Sequence, residues 1–258
     1  MSGAGADYEN IMVPAVFGTW APVMAAFVKV AAGERVLDVA CGTGVVAREL
    51  YRHAGANGTV VGCDSNAAML ETAREVSTEI EWRESNALDL SFESGSFDVV
   101  TCQQGYQFFQ NRLKAAQEAH RVLVNGGRIA VSVWCSLSEN PGQAAVVAAV
   151  EEFVGSDAAK MVGSAFGLGD KSQLQEFILA AGFRELQLAT ETRPARFSSS
   201  EDLAIGLLRG GALARAGVEL NDDTMAQITG RVSTSLAKYQ TASELVFPMS
   251  ANIILGQK

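Results

Sequence analysis

The stretch Val36-Leu37-Asp38-Val39-Ala40-Cys41-Gly42-Thr43-Gly44 decides the fold. Val36, Leu37 and Val39 give the short apolar run of a strand buried in a parallel sheet. A turn of small residues follows, and Val45-Val46-Ala47-Arg48-Glu49-Leu50 then reads as the start of a helix. Gly42 and Gly44 can take the positive φ that such a turn needs, and they let another molecule approach the backbone. A strand that ends in a glycine turn and opens a helix is the ligand-binding edge of an open α/β sheet. The first turn of that helix leaves N–H groups pointing at whatever is bound there.

Two ligand chemistries compete for the turn. Gly42-Thr43-Gly44-Val45-Val46-Ala47 fits the dinucleotide fingerprint G-x-G-x-x-A, and Asp64 follows about 20 residues on, where a ribose-binding acid belongs. Asp38 decides between them. A carboxylate on the strand, ahead of the glycines, gives a pyrophosphate-binding loop nothing, whereas a cationic ligand gains from it. No Gly-Lys-Ser/Thr follows, which excludes a nucleoside-triphosphate P-loop.

Outward from this turn, strands and helices alternate. Thr59–Asp64 reads as a second strand, and a helix capped by Ser65 or Asn66 carries Met69, Leu70, Ala73 and Val76. Ile80–Glu84 and Ser96–Cys102 read as the third and fourth strands. Leu113–Leu123 reads as a helix that Asn125-Gly126-Gly127 ends, and Arg128–Trp134 as the fifth strand. This alternation predicts an α/β protein with a doubly wound, mostly parallel seven-stranded sheet. Beyond Trp134 the order loosens. Helices are expected through Val146–Val154 and Leu174–Ala181, a strand over Phe183–Phe197 bent near Pro194, and a last strand over Glu244–Leu255. The expected organisation is an N-terminal helical flap (1–33), a ligand-binding core (34–135) and a remainder (136–258) carrying helical lid insertions at about 136–170 and 198–243.

Composition narrows the function. The chain has 258 residues, 48% of them hydrophobic, enough for one sheet-centred domain with a lid. Its formal charge is −9 and no Lys/Arg cluster stands out, so a nucleic-acid partner is not expected. No apolar run is expected to approach the length of a membrane span, and residues 1–10 lack the pattern of a signal peptide. Cys41, Cys63, Cys102 and Cys135 have no metal-ligand spacing; they read as small buried side chains in a reducing cytoplasm, with no metal site.

From Glu34 to about Trp134 the chain closely resembles the class I S-adenosylmethionine (SAM)-dependent methyltransferases of the ubiquinone/menaquinone-biosynthesis type. Four motifs carry the resemblance: Asp38–Gly44; Val61-Gly62-Cys63-Asp64; Ser85–Phe92 followed by Gly95–Val100; and Arg121–Arg128. The resemblance implies SAM as cofactor, S-adenosylhomocysteine as product, and roles for particular residues. Asp38 and the backbone of Ala40, Gly42 and Gly44 would flank the methionine part. Asp64, with Ser65 beside it, would accept both ribose hydroxyls. Asn86 would bond the adenine amino group, with Ala87 alongside and Met69 and Leu88 packed on the ring. Gln103 would contact the amino-acid end. Ala40 and Asn86 depart from the family, where many members have Gly and Asp.

Methyl transfer from a sulfonium is an in-line displacement, which needs alignment more than a dedicated base. Tyr106, in the loop after the fourth strand, is the candidate to orient or deprotonate an acceptor hydroxyl. Gln104 and Phe17 are expected to touch the acceptor, and Trp20 the cofactor. Neither His53 nor His120 is expected to act as base. The acceptor expected is a small, partly apolar molecule such as a secondary metabolite or quinone-like compound, with oxygen methylation ahead of carbon and nitrogen. A nicotinamide oxidoreductase using the same glycine turn and a SAM-binding regulatory protein without chemistry are the alternatives. Homo-oligomerisation is left open.

Overall fold

The computed structural model describes residues 4–208, 213 and 217–258. The start of the expected flap and part of the expected 198–243 insertion therefore lie outside the described residues. Seven strands form one sheet: β1 (Arg35–Val39), β2 (Thr59–Asp64), β3 (Glu81–Glu84), β4 (Phe97–Gln103), β5 (Leu123–Trp134), β6 (Arg184–Phe197) and β7 (Leu245–Gln257). Their order is β3-β2-β1-β4-β5-β7-β6. β7 runs antiparallel to both its neighbours, and the pairs among β1 to β5 are parallel. The sheet is thus doubly wound and mostly parallel, as the alternation predicts. The strand order reverses between β1 and β4, which opens a crevice beyond their C-terminal ends.

The helices are α1 (Ala4–Asp7), α2 (Gly18–Val28), α3 (Val45–Ala54), α4 (Ala67–Val76), α5 (Arg112–Val122), α6 (Pro141–Phe153), α7 (Ser156–Gly163), α8 (Lys171–Ala180), α9 (Ser200–Leu208) and α10 (Asp222–Ser235). Leu37, Val39, Val100, Val131 and Val133 pack on one face of the sheet with α5 and α8. On the other face, Val36, Val60, Val99 and Ala130 pack with α2, α3 and α4. A further apolar cluster joins α6, α7, α9 and α10 to the far ends of β6 and β7.

Between α1 and α2 the chain is π-helical over Tyr8–Phe17. This wider winding, which recurs at functional sites, stacks the Tyr8 and Phe17 rings at a centroid distance of 5.0 Å. The run Gly5–Val28, contrary to the expectation that no apolar run approaches a membrane span, is by length and composition alone apolar enough to cross a bilayer. Half of it is buried inside the protein.

The Asn125-Gly126-Gly127 segment departs from its expected role. α5 ends one residue earlier than expected, at Val122, and Leu123 is already extended. The two glycines lie inside β5, where Gly126 takes φ +79 and the pairing with β4 slips between Phe97 and Val99. Helix termination therefore falls to the strand that follows, not to a left-handed cap. The bend expected near Pro194 is also absent: Pro194 pairs with Pro248 in unbroken register, and the irregularity lies at Arg184/Gln187.

Candidate active site

Gly44 caps α3 at φ +88 and lies under the indole of Trp82; a Cβ there would fall 2.1 Å from the ring. The same indole covers Gly62 on β2, and its Nε1 donates to the Ser77 carbonyl at 2.8 Å. One turn glycine is thus required by packing. The other, Gly42 at φ +56, lines a cavity, with the Tyr8 ring closing over it. Ala40 lines the same cavity at φ +55. For a residue with a Cβ this left-handed backbone costs about 1–2 kcal/mol, which is the physical reason for glycine in related motifs.

The cavity has a volume of about 520 Å³ and runs along the C-terminal ends of β1, β2 and β4. Asp64, Ser65 and Met69 line it at one end, with Asn66 beside them. The Asp64 carboxylate accepts from the Gly42 N–H and the Asn66 N–H, each at 2.9 Å. Each oxygen keeps lone-pair capacity for a further donor. Gln103 and Gln104 line the middle, Gln104 at φ +60 with its N–H bonded to the Ser132 carbonyl. The other end is largely apolar, walled by Phe17, Trp134, Val147, Met161 and Phe166. Val147 belongs to α6, Met161 to α7 and Leu207, also on the wall, to α9.

Asp38 is buried behind the turn, outside the cavity lining. Thr101 Oγ1 donates to its Oδ1 at 2.7 Å, and Oδ2 is left without a hydrogen bond of good geometry. Burial pushes the carboxyl up to about 7, against the Thr101 hydroxyl and the Ala47 amide, and the charge on Asp64 adds to the rise. A positive charge placed at the turn would draw it back toward ionisation.

Two expected site residues belong to the core instead. Tyr106 is 2% exposed and stacks on Phe177 at a centroid distance of 5.2 Å. Burial holds its hydroxyl well above the usual tyrosine range, and it does not line the cavity, so it is no candidate base. Trp20 is 1% exposed and meets Trp134 edge-on; Trp134, not Trp20, reaches the cavity. Both were expected from position in the sequence, which cannot say which face of a loop or helix turns inward.

The Ser85–Phe92 loop also stands off the cavity lining. Asn86 Oδ1 accepts from the Leu88 N–H at 2.9 Å, Ala87 is buried in the core and Leu88 is half-buried against it. Asn86 therefore shapes the loop in this conformation.

Tyr8 was not expected. It lines the cavity beside Gly42, and burial, followed by the charge on Asp64, holds its hydroxyl far above the usual value, so it stays protonated and can donate a hydrogen bond. Its neighbour Glu9 pairs with Arg48 of α3 at 2.7 Å, and Arg48 also donates to the Thr43 carbonyl at 2.6 Å. The N-terminal helix is thereby tied to the glycine turn. Gln107, Gln143 and Met249 likewise line the cavity without a motif to announce them.

Both histidines lie elsewhere. His53 is at the end of α3 beside Glu49, and His120 packs edge-on against Phe183. The four cysteines are free and buried. Among the described residues no group of three or more His, Cys, Asp or Glu side chains is placed to hold a metal ion.

The profile of the ubiE/COQ5 methyltransferase family matches residues 7–193. A demethylmenaquinone methyltransferase of Lactococcus lactis is 40% identical over 102 residues, covering 38% of this chain and 40% of that protein. A ubiquinone/menaquinone biosynthesis C-methyltransferase of Xylella fastidiosa is 34% identical over 129 residues, covering 48% of this chain and 51% of that protein. The match thus spans about half or less of the length of these relatives. Among solved structures, the YcgJ protein of Bacillus subtilis superposes with a TM-score of 0.62 at 20% identity, covering 93% of this chain and 98% of that one. At that identity the likeness speaks for the fold. On the family match, which takes in the glycine turn, the Asp64 strand end and the Arg121–Arg128 segment together, the chain belongs to the ubiE/COQ5 methyltransferase family.

Proposed function

We propose that this chain transfers a methyl group from SAM to a small, largely apolar ring acceptor of quinone type. The observation that carries the reading is one cavity that joins the Asp64–Gly42 end to an apolar end walled by Phe17, Trp134 and Phe166. The residues at the first end fit SAM. Asp64 retains acceptor capacity for two ribose hydroxyls, Gly42 offers a surface without a side chain, and the incompletely bonded Asp38 suits a cation nearby. Asn86, Ala87 and Leu88 would meet the adenine after adjustment of their loop. SAM supplies a methyl group on a positively charged sulfur.

The chain's own contribution is to bind, align and keep water out. Alignment of this kind is worth roughly 7–11 kcal/mol of barrier. Tyr8 and Phe17 roof the cavity, and Gln103 and Gln104 line the floor between its two ends. The wall residues from α6, α7 and α9 would set acceptor choice. The relatives named as C-methyltransferases favour carbon over the oxygen methylation put first by the sequence reading. The buried free cysteines are in keeping with a cytoplasmic setting.

The test is calorimetry with SAM, S-adenosylhomocysteine and NADPH, followed by turnover with hydroxylated naphthalenes and product identification by mass spectrometry and NMR. SAM and S-adenosylhomocysteine binding with a new ring C–CH₃ bond is the expected result. NADPH binding in their place would overturn the reading.

A further inference from the structure

The cavity's acceptor end contains two buried amides whose carbonyl oxygens have nothing to accept from. Gln107 is 7% exposed and Gln143 is 1% exposed, and both line the cavity. Oε1 of each is inaccessible and without a hydrogen-bond partner. Such groups are costly to bury and rarely retained without a use.

The other half of each amide is engaged. Gln107 Nε2 donates to Gln104 Oε1 at 3.3 Å, and Gln104 Nε2 donates to Ser132 Oγ at 3.4 Å. This chain of bonds gives Gln107 its orientation, because turning its amide over would set two carbonyl oxygens together. Gln143 Nε2 faces Met249 Sδ at 3.1 Å, a weak acceptor. Turning that amide would set its oxygen against the sulfur lone pairs. The two side chains come from separate elements, the loop after β4 and the first turn of α6, and both line the one cavity.

We propose that Gln107 and Gln143 are the specificity-determining residues of the acceptor end: their unpaired carbonyl oxygens receive hydrogen bonds from hydroxyl groups on the acceptor ring. A small turn about the terminal amide torsion, which is soft, brings each oxygen to the cavity surface as the ring enters. Dihydroxylated rings are then selected over rings of similar shape whose oxygens only accept, since those leave the amide oxygens unpaired and opposed. The inference rests on the methyltransferase reading for the nature of the site, and it concerns what these glutamines select.

The experiment is calorimetry on the full chain, with and without saturating S-adenosylhomocysteine. The probes are 1,4-dihydroxynaphthalene and 1,4-dimethoxynaphthalene, titrated under argon. The wild-type protein is expected to bind the dihydroxy ring at least about tenfold more tightly than the dimethoxy ring. Gln107→Leu and Gln143→Leu should each shrink that preference several-fold, with S-adenosylhomocysteine affinity unchanged. Equal affinity for the two rings, a preference for the dimethoxy ring, or a preference that survives both substitutions overturns the proposal. The wild-type comparison needs no variant, so a leucine variant that fails to fold does not shelter it. S-adenosylhomocysteine binding without ring preference overturns this inference alone. Ring preference without S-adenosylhomocysteine binding overturns the cofactor reading alone.

Discussion

The main-chain N–H of Gly42 donates to Oδ2 of Asp64 at 2.9 Å, so the end of β2 holds in place the glycine turn that follows β1. One carboxylate thus shapes the turn and lines the cavity, where, on the proposed function, it would also present acceptors to a ligand. Asp64→Ala removes both. Losing hydrogen bonds to a charged acceptor costs about 3 kcal/mol, so calorimetry should show SAM affinity reduced roughly a hundredfold. Affinity near that of the wild type would remove Asp64 from the site.

Asp38 makes stability depend on pH in an unusual direction. Its folded value of about 7 lies above its ordinary 3.8, so the folded protein holds a proton that the unfolded chain releases between those values. Its contribution is present below about pH 4 and is lost as pH rises through about 7. Asp38→Asn, which mimics the protonated form, should therefore gain stability relative to wild type between pH 5 and pH 8 in urea titrations. The same difference at both pH values would show that Asp38 is ionised throughout.

Glu118 has the opposite sign. It is buried, which raises its pKa, but hydrogen bonds from Arg121, Lys114 and the Leu90 N–H outweigh burial and hold it at about 2. Arg121 also donates to the carbonyls of Leu90 and Phe92, so this pair pins α5 to the loop that follows β3. Glu118→Gln should cost about 2–3 kcal/mol at pH 7 by leaving Arg121 poorly matched; half-exposed Lys114 adds little. That cost should fade as pH drops from 4.5 toward 2, where the wild-type carboxylate is itself protonated. A cost independent of pH in acid denaturation would argue for packing alone.

Neither histidine should matter to turnover. His53→Ala and His120→Ala are expected to stay within about tenfold of wild type after correction for folded fraction, short of the 10²–10⁴-fold that loss of a general base brings. A larger loss in a well-folded His120→Ala would place the α5 terminus at the reaction centre.

The framework of the fold was legible because each core strand carries its own signal. Val36–Val39 and Thr59–Asp64 are apolar and end in a turn or cap, and they form β1 and β2 almost as read. Asp98 on β4 is held by the Arg35 side chain and N–H on the neighbouring strand. That Gly42, Asp64 and Met69 share one cavity was legible for a related reason: they sit at fixed offsets from strand ends. The acceptor end was not. Gln107, Gln143 and Met249 come from three distant elements, and only tertiary packing brings them to one cavity. Tyr106 and Trp20 were misplaced because an aromatic residue near a site has two faces to choose from, and burial took both. Tyr8 carries no motif, and its place in the cavity follows from the π-helical spacing over Tyr8–Phe17.

That spacing has a consequence for chain length. Tyr8 and Phe17 are nine positions apart, which in an α-helix is about two and a half turns and would leave the rings on opposite sides. Only the π-helical winding stacks them on one side. The segment's residue count is therefore as binding as its chemistry. Removing a single residue between Glu9 and Val16 would swing Tyr8 off Gly42 while leaving every side chain named in the cavity otherwise intact, so this roof tolerates substitution far better than deletion.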